Sequence, residues 1–144
     1  MTAYLIQEVD GLAKAEIIRY LNAQEPDTFP ALSDKHLNGY WWLARSAHNH
    51  IVGMAGMVPF FERDDGIGYF KRTYVVEGAR GRGIQRLFMA AREAKAKEVG
   101  YRLLVSEAFE NPHSERNFLA FGFETFIPEQ PWGKPGSTYF RKRI

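Results

Sequence analysis

Three glycines, Gly78, Gly81 and Gly83, alternate with Arg80, Arg82 and Arg86 in the stretch VVEGARGRGIQRLFMAAREAKAKEVG. The run that follows has helical spacing and would start near Gly83. A helix starting there leaves its first N–H groups without partners inside the helix. Those donors, with the helix dipole, favour an anion. Glycine allows φ > 0 and has no Cβ to hold a phosphate off the backbone. Arginine adds charge and can bind phosphate through two parallel hydrogen bonds. A pyrophosphate is the natural guest of such a segment. Two better-known phosphate loops do not fit it. The fingerprint G-x-G-x-x-G begins at Gly81 and Gly83 but meets Arg86 at its third glycine. The loop G-x-x-x-x-G-K-[ST] needs a Gly-Lys-Ser or Gly-Lys-Thr that the chain lacks. The alternative reading is a glycine-rich turn with solvated arginines.

The elements that must position this turn can be read from periodicity. AYLIQEV reads as a first strand. Asp10 could cap a helix over residues 11–21, with Ala13, Ile17, Tyr20 and Leu21 on one face. Residues 22–39 are irregular, broken by Pro26 and Pro30, with room for a short helix near Lys35. YWWLARSA, IVGMAGMVPFF and IGYFKRTYVV then read as three strands in hairpin succession, joined by turns at HNH and ERDDG. After Val76 the period changes: Ile84, Leu87, Phe88, Ala91 and Val99 fall on one side of a helix capped by Gly100. YRLLVSEAF is a fifth strand. Asn111 caps a further helix, with Pro112 at its first position and Gly122 past its end. FETF and GSTYFRKRI are late strands around a proline-rich loop at Trp132. The strand–helix–strand unit from Ile67 to Val105 makes its two strands parallel. The expected class is α/β: one mixed, mostly antiparallel sheet with a parallel pair, flanked by about four helices.

Bulk properties narrow the function. The 144 residues suit one domain spanning 1–144. Hydrophobic residues make up 45% and charged residues 25%, as in ordinary soluble proteins. No apolar run approaches the ~20 residues of a membrane helix. The opening MTAYLIQEVD lacks the pattern of a secretory leader, so a cytoplasmic location is expected. The chain has no cysteine, which excludes disulfides, thiolate metal sites and a cysteine nucleophile. A net charge of +2 argues against a dedicated nucleic-acid binder. His48 and His50 lack an evident third ligand, so HNH reads as a turn and no metal is expected.

RGRGIQRLFMAA resembles the acyl-coenzyme-A-binding motif of the GNAT superfamily of N-acetyltransferases, Q/R-x-x-G-x-G/A. Arg80 and Gly83 match its first and fourth positions. Gln85 departs at the last, and its longer side chain can crowd the phosphates or point aside. NPHSERNFLAFGF resembles the family's segment after its fifth strand, through Asn111, Phe118, Gly122 and Phe123. The resemblance implies that the fourth strand bulges and splays from the fifth. It implies a pantetheine arm in the gap, paired with the backbone of Thr73, Tyr74, Val75 and Val76 and touched by Asn111 and Phe118. It places the pyrophosphate on the N–H groups of Gly81, Arg82, Gly83, Ile84, Gln85 and Arg86, beside Arg80. The implied co-substrate is acetyl-CoA, without a metal. The Val75 N–H would meet the acetyl carbonyl, and an amine would attack the thioester directly.

The catalytic groups are less defined. The family often has a proton-donating tyrosine where this chain has Phe118. Tyr69, Tyr74, water, or departure of the free thiolate remain as substitutes. Glu107, near the end of the fifth strand, is the first candidate for general base and Tyr69 the second. His36 and the pair Trp41–Trp42 fall where the family builds its acceptor pocket. Alternation turns only one of the two tryptophans to a given face. The implied acceptor is a small or partly apolar amine, or a peptide end. Phe118, Gln85 and the unsettled base also fit a module that binds acyl-CoA as a sensor without turnover. The resemblance is compatible with a homodimer through the late strands.

Overall fold

The alternating apolar stretches form strands. In the computed structural model, which describes residues 3–144 (Met1 and Thr2 lie outside the described residues), they are β1 (Leu5–Asp10), β2 (Tyr40–Arg45), β3 (Ile51–Pro59), β4 (Ile67–Val75), β5 (Leu103–Ala108), β6 (Glu124–Phe126) and β7 (Thr138–Arg143). The helices are α1 (Ala15–Asn22), α2 (Asp34–Leu37), α3 (Ile84–Val99) and α4 (Pro112–Ala120). Among the described residues the strands make one sheet in the order β1-β2-β3-β4-β5-β7-β6. β4 and β5 run parallel; the other neighbours are antiparallel. No helix among the described residues is long and apolar enough to cross a membrane.

Helices cover both faces of the sheet, so strand alternation feeds two cores. Trp41, Leu43 and Met54 pack with Ile18, Leu21 and Leu37 of α1 and α2. Trp42, Met57, Phe70, Leu104 and Phe140 pack with Phe88 of α3 and Phe118 of α4. Both tryptophans are therefore core, on opposite faces, and neither lines an acceptor pocket. The Trp41 indole N–H is satisfied by the His36 carbonyl at 2.9 Å. Each fully buried large apolar side chain contributes about 1.5–3 kcal/mol.

The helix ends follow the local signals. Asn111 accepts a hydrogen bond from the Ser114 N–H at 3.1 Å, with Pro112 in the first turn of α4. Gly100 and Gly122 take φ of 92° and 96°, the left-handed conformation of a helix stop. Two helical faces are corrected. Asp10 caps a turn, accepting from the N–H groups of Leu12 and Ala13, and α1 starts only at Ala15. Its buried residues are Ile18, Leu21 and Asn22, while Tyr20 is 61% exposed. In α3 the buried line is Ile84, Phe88, Arg92 and Ala96 with Met89; Leu87 and Val99 face outward. An i, i+4 stripe set this face, and its third member is a charged residue.

Candidate active site

The sheet opens in its middle. β4 and β5 pair only from Ile67↔Leu103 to Tyr69↔Val105. The Ser106 hydroxyl then donates to the Phe70 carbonyl at 3.0 Å, and the strands part beyond it. On its other edge β4 slips against β3 between Ala55 and Gly56. Arg72, in the bulge, takes φ 42°. The bulge changes which residues face the gap. The Val76 N–H donates to Val52 of β3 at 2.9 Å. Alternation in an antiparallel ladder then turns Tyr74 toward β3, and Thr73 and Val75 toward the gap. Of the four backbone positions expected to pair with an arm, Thr73 and Val75 are oriented for it; Tyr74 and Val76 are committed to β3.

At the mouth of α3, Gly81 and Gly83 take φ of 75° and 81°. A Cβ built on either would meet no atom within 4 Å, so the backbone donors there lie open. Gln85 points aside: its side-chain oxygen accepts from the Asn117 amide of α4. Arg80 folds back, donating from Nε to the Val75 carbonyl at 2.9 Å and lying 3.6 Å from Glu25. The gap and this mouth belong to one cleft of about 1980 Å³. It is lined by Tyr69, Thr73, Tyr74, Val75, Arg80, Gly81, Gly83, Ile84, Gln85, Arg86, Glu107, Asn111 and Phe118, but not by Val76 or Arg82.

The two base candidates touch. The Tyr69 hydroxyl donates to one Glu107 oxygen, and the Trp132 indole N–H donates to the other at 2.9 Å. Burial, then the Glu107 charge, pushes the Tyr69 phenol well above its usual range, so it stays protonated at neutral pH. Trp132 is wedged edge-on between Phe60, at 4.8 Å, and Tyr139, at 4.5 Å. Phe118 stacks on Phe140 at 4.9 Å and meets Phe123 edge-on at 5.1 Å, as part of the core beneath the cleft. His36 lines the same cleft, its pKa lowered by burial and by Lys71 and Arg72.

With this geometry in hand, comparison with known proteins is decisive for the family. Residues 9–123 match the family profile described as the acetyltransferase (GNAT) family. The chain belongs to the GNAT acetyltransferase family. A search of curated proteins found no match. Solved structures share the GNAT fold. A GNAT family acetyltransferase from Elizabethkingia anophelis with acetyl-CoA bound superposes with a TM-score of 0.71 at 18% identity, covering 98% of each chain. A ribosomal-protein-alanine N-acetyltransferase from Brucella melitensis gives 0.73 at 22% identity, covering 97% of this chain and 99% of that one. An IAA acetyltransferase from Bacillus cereus gives 0.75 at 13% identity, covering 99% and 100%.

Within this GNAT domain, three cleft residues escape the motif reading. Trp132 reaches Glu107 from 25 residues away in sequence, which no local pattern reveals. Lys71 stands two residues from Tyr69 on the same strand face, and alternation alone would have paired them. Arg92 is 2% exposed on α3, its guanidinium 4.0 Å from the centre of the Phe70 ring. It donates to the Gly56 carbonyl at 3.3 Å, at the point where β3 and β4 slip. Burial lowers its pKa to about 9, which leaves it charged at neutral pH. Its place in the stripe at Phe88 plus four was the available signal, masked by its charge.

Proposed function

We propose that this protein transfers the acetyl group of acetyl-CoA to a primary amine by direct attack in a ternary complex. The observation that carries this reading is the parting of β4 and β5. It exposes the Thr73 and Val75 edge in one cleft with the open α3 mouth and the Glu107 carboxylate. The co-substrate supplies the acetyl group as a thioester. The N–H groups of Gly81, Gly83, Ile84, Gln85 and Arg86 hold its diphosphate, and the missing Cβ atoms of both glycines allow the approach. Thr73 and Val75 bind the arm as an added strand. Asn111 spends its oxygen on Ser114 and offers its amide N–H₂. The Val75 N–H steadies negative charge on the carbonyl oxygen. Glu107 accepts one bond on each oxygen from Tyr69 and Trp132, and a carboxylate has about four acceptor positions. It therefore retains capacity for the proton of the attacking amine. Phe118 gives no proton to the departing sulfur, whose acid form ionises near pH ~8.5.

The test is release of free thiol from acetyl-CoA with an amine panel, beside a thermal-shift titration with the coenzyme. Amine-dependent thiol release supports transfer. Stabilisation by the coenzyme with no thiol release from any amine favours a sensor, a reading supported by the unreactive Phe118. Neither response would refute both.

A further inference from the structure

We propose that the acceptor carries a carboxylate beside its amine and an apolar body, and that Lys71 holds that carboxylate. The inference rests on the acetyl-transfer reading for the position of the amine. Its own support is a lysine ammonium near Glu107 that no carboxylate pairs. Lys71, Arg72, His36 and Lys35 line the same cleft as Glu107, together with the acids Glu25, Asp27, Glu62 and Glu110. Lys35 is neutralised by Glu62 at 3.6 Å. Arg72 is committed, donating to the Asn22 side chain at 3.0 Å and to the Pro30 carbonyl at 3.2 Å. Among the described residues no ion pair includes Lys71. Its ammonium lies 5.5 Å from the centre of the Tyr69 ring. Glu107 is the nearby carboxylate that acts on it through charge, but it makes no ion pair with the Lys71 ammonium. A half-buried ammonium without a close anion is costly unless a ligand supplies one.

The same region repels a second cation and welcomes a zwitterion. An acceptor with its amine at Glu107 and its carboxylate at Lys71 meets opposite charge at both ends. The walls between them are aromatic. Phe60 lies 5.9 Å from Tyr69 and 4.8 Å from Trp132, ring centre to ring centre. Phe61 beside them is 62% exposed. That combination fits a free amino acid with a large apolar side chain better than a polyamine.

The test measures binding of the product pair, N-acetylphenylalanine and N-acetylphenylalanine amide, to the protein saturated with coenzyme A. A charge-assisted hydrogen bond predicts about tenfold or greater preference for the acid. Lys71→Met should abolish the preference and Lys71→Arg should keep it, with thermal melts confirming that each variant folds. Equal binding of acid and amide by the native protein, or an acid preference that survives in Lys71→Met, overturns the proposal. Turnover of phenylalanine and phenylalanine amide with acetyl-CoA separates the two readings. Acid-selective binding with no thiol release from phenylalanine or from any amine of the panel would sink acetyl transfer and leave the carboxylate site standing. Turnover with no acid preference would do the reverse.

Discussion

The two ends of the cleft are built from different materials. At the α3 end the groups on offer to a ligand are backbone N–H groups, left open because Gly81 and Gly83 adopt positive φ and carry no side chain. At the other end they are side chains brought from distant segments: His36 from α2, Tyr69 and Lys71 from β4, Glu107 from β5 and Trp132 from the loop before β7. A backbone site is specified by a few adjacent residues. A side-chain site depends on the whole fold bringing its members together, and so can change its ligand without changing the fold.

The comparison predicts opposite kinetic signatures for damage at the two ends. Glu107→Gln keeps the size of the side chain and an acceptor for Trp132 but removes the carboxylate proposed as the base. Its kcat should fall by roughly 10²–10⁴-fold, with coenzyme affinity by calorimetry unchanged within about twofold. Gly83→Val acts in reverse. A β-branched residue at φ 81° is strained by about 1–2 kcal/mol and turns the donors away. Coenzyme Kd should rise about tenfold, with a smaller loss in kcat at saturation. Equal loss of affinity in both variants would show that the ends are not separable.

What was legible in the sequence follows the same division. The strand–helix–strand unit, the helix caps at Gly100 and Asn111 and the glycine turn are all local, and each lies where its local chemistry put it. The face of α3 is not legible locally, because a charged residue such as Arg92 has the character of a surface position. Its burial depends on Phe70 and the Gly56 carbonyl, which lie on other strands. The orientation of Val76 likewise depends on where the bulge falls: the family resemblance implies a bulge in the fourth strand, but no local propensity centres it on Arg72. Tyr69 and Glu107 are each legible as candidates, but not as a pair. Their contact required the parallel register Tyr69↔Val105, which places Glu107 just beyond the last paired residue.

Lys71 tests whether the side-chain end is held at a cost to the fold. Burial first, and Arg72 second, lower its pKa from 10.5 to about 8, against a raising effect of Glu107. The charged and titratable groups facing it are Arg72 and Tyr69 from β4, Glu107 from β5 and His36 from α2. A folded-state pKa below the unfolded one means that the unfolded chain binds more protons between about pH 8 and 10.5. Stability contributed by this group therefore rises with pH across that window, and the cost of the buried charge is fully present below it. Lys71→Met should be more stable than the native protein at pH 7 in urea denaturation, with the gap narrowing toward pH 10. A gap that stays constant, or a variant less stable at pH 7, would show that the ammonium is not held at a cost.

The smallest effect is expected where the two ends meet the second wall of the cleft. Gln85 departs from the glycine or alanine that the GNAT motif prefers, yet its side chain reaches Asn117 of α4 instead of the open mouth of α3. Gln85→Ala removes one hydrogen bond, worth about 0.5–1.5 kcal/mol, and gains a few tenths in helix propensity. Net stability should fall by under about 1 kcal/mol, and coenzyme affinity should move by no more than about twofold. Tightening of tenfold or more would mean that the glutamine competes with the diphosphate for the same donors. The α3 end would then be tuned by a side chain as well as by its backbone, and the division between the two ends would lose its basis.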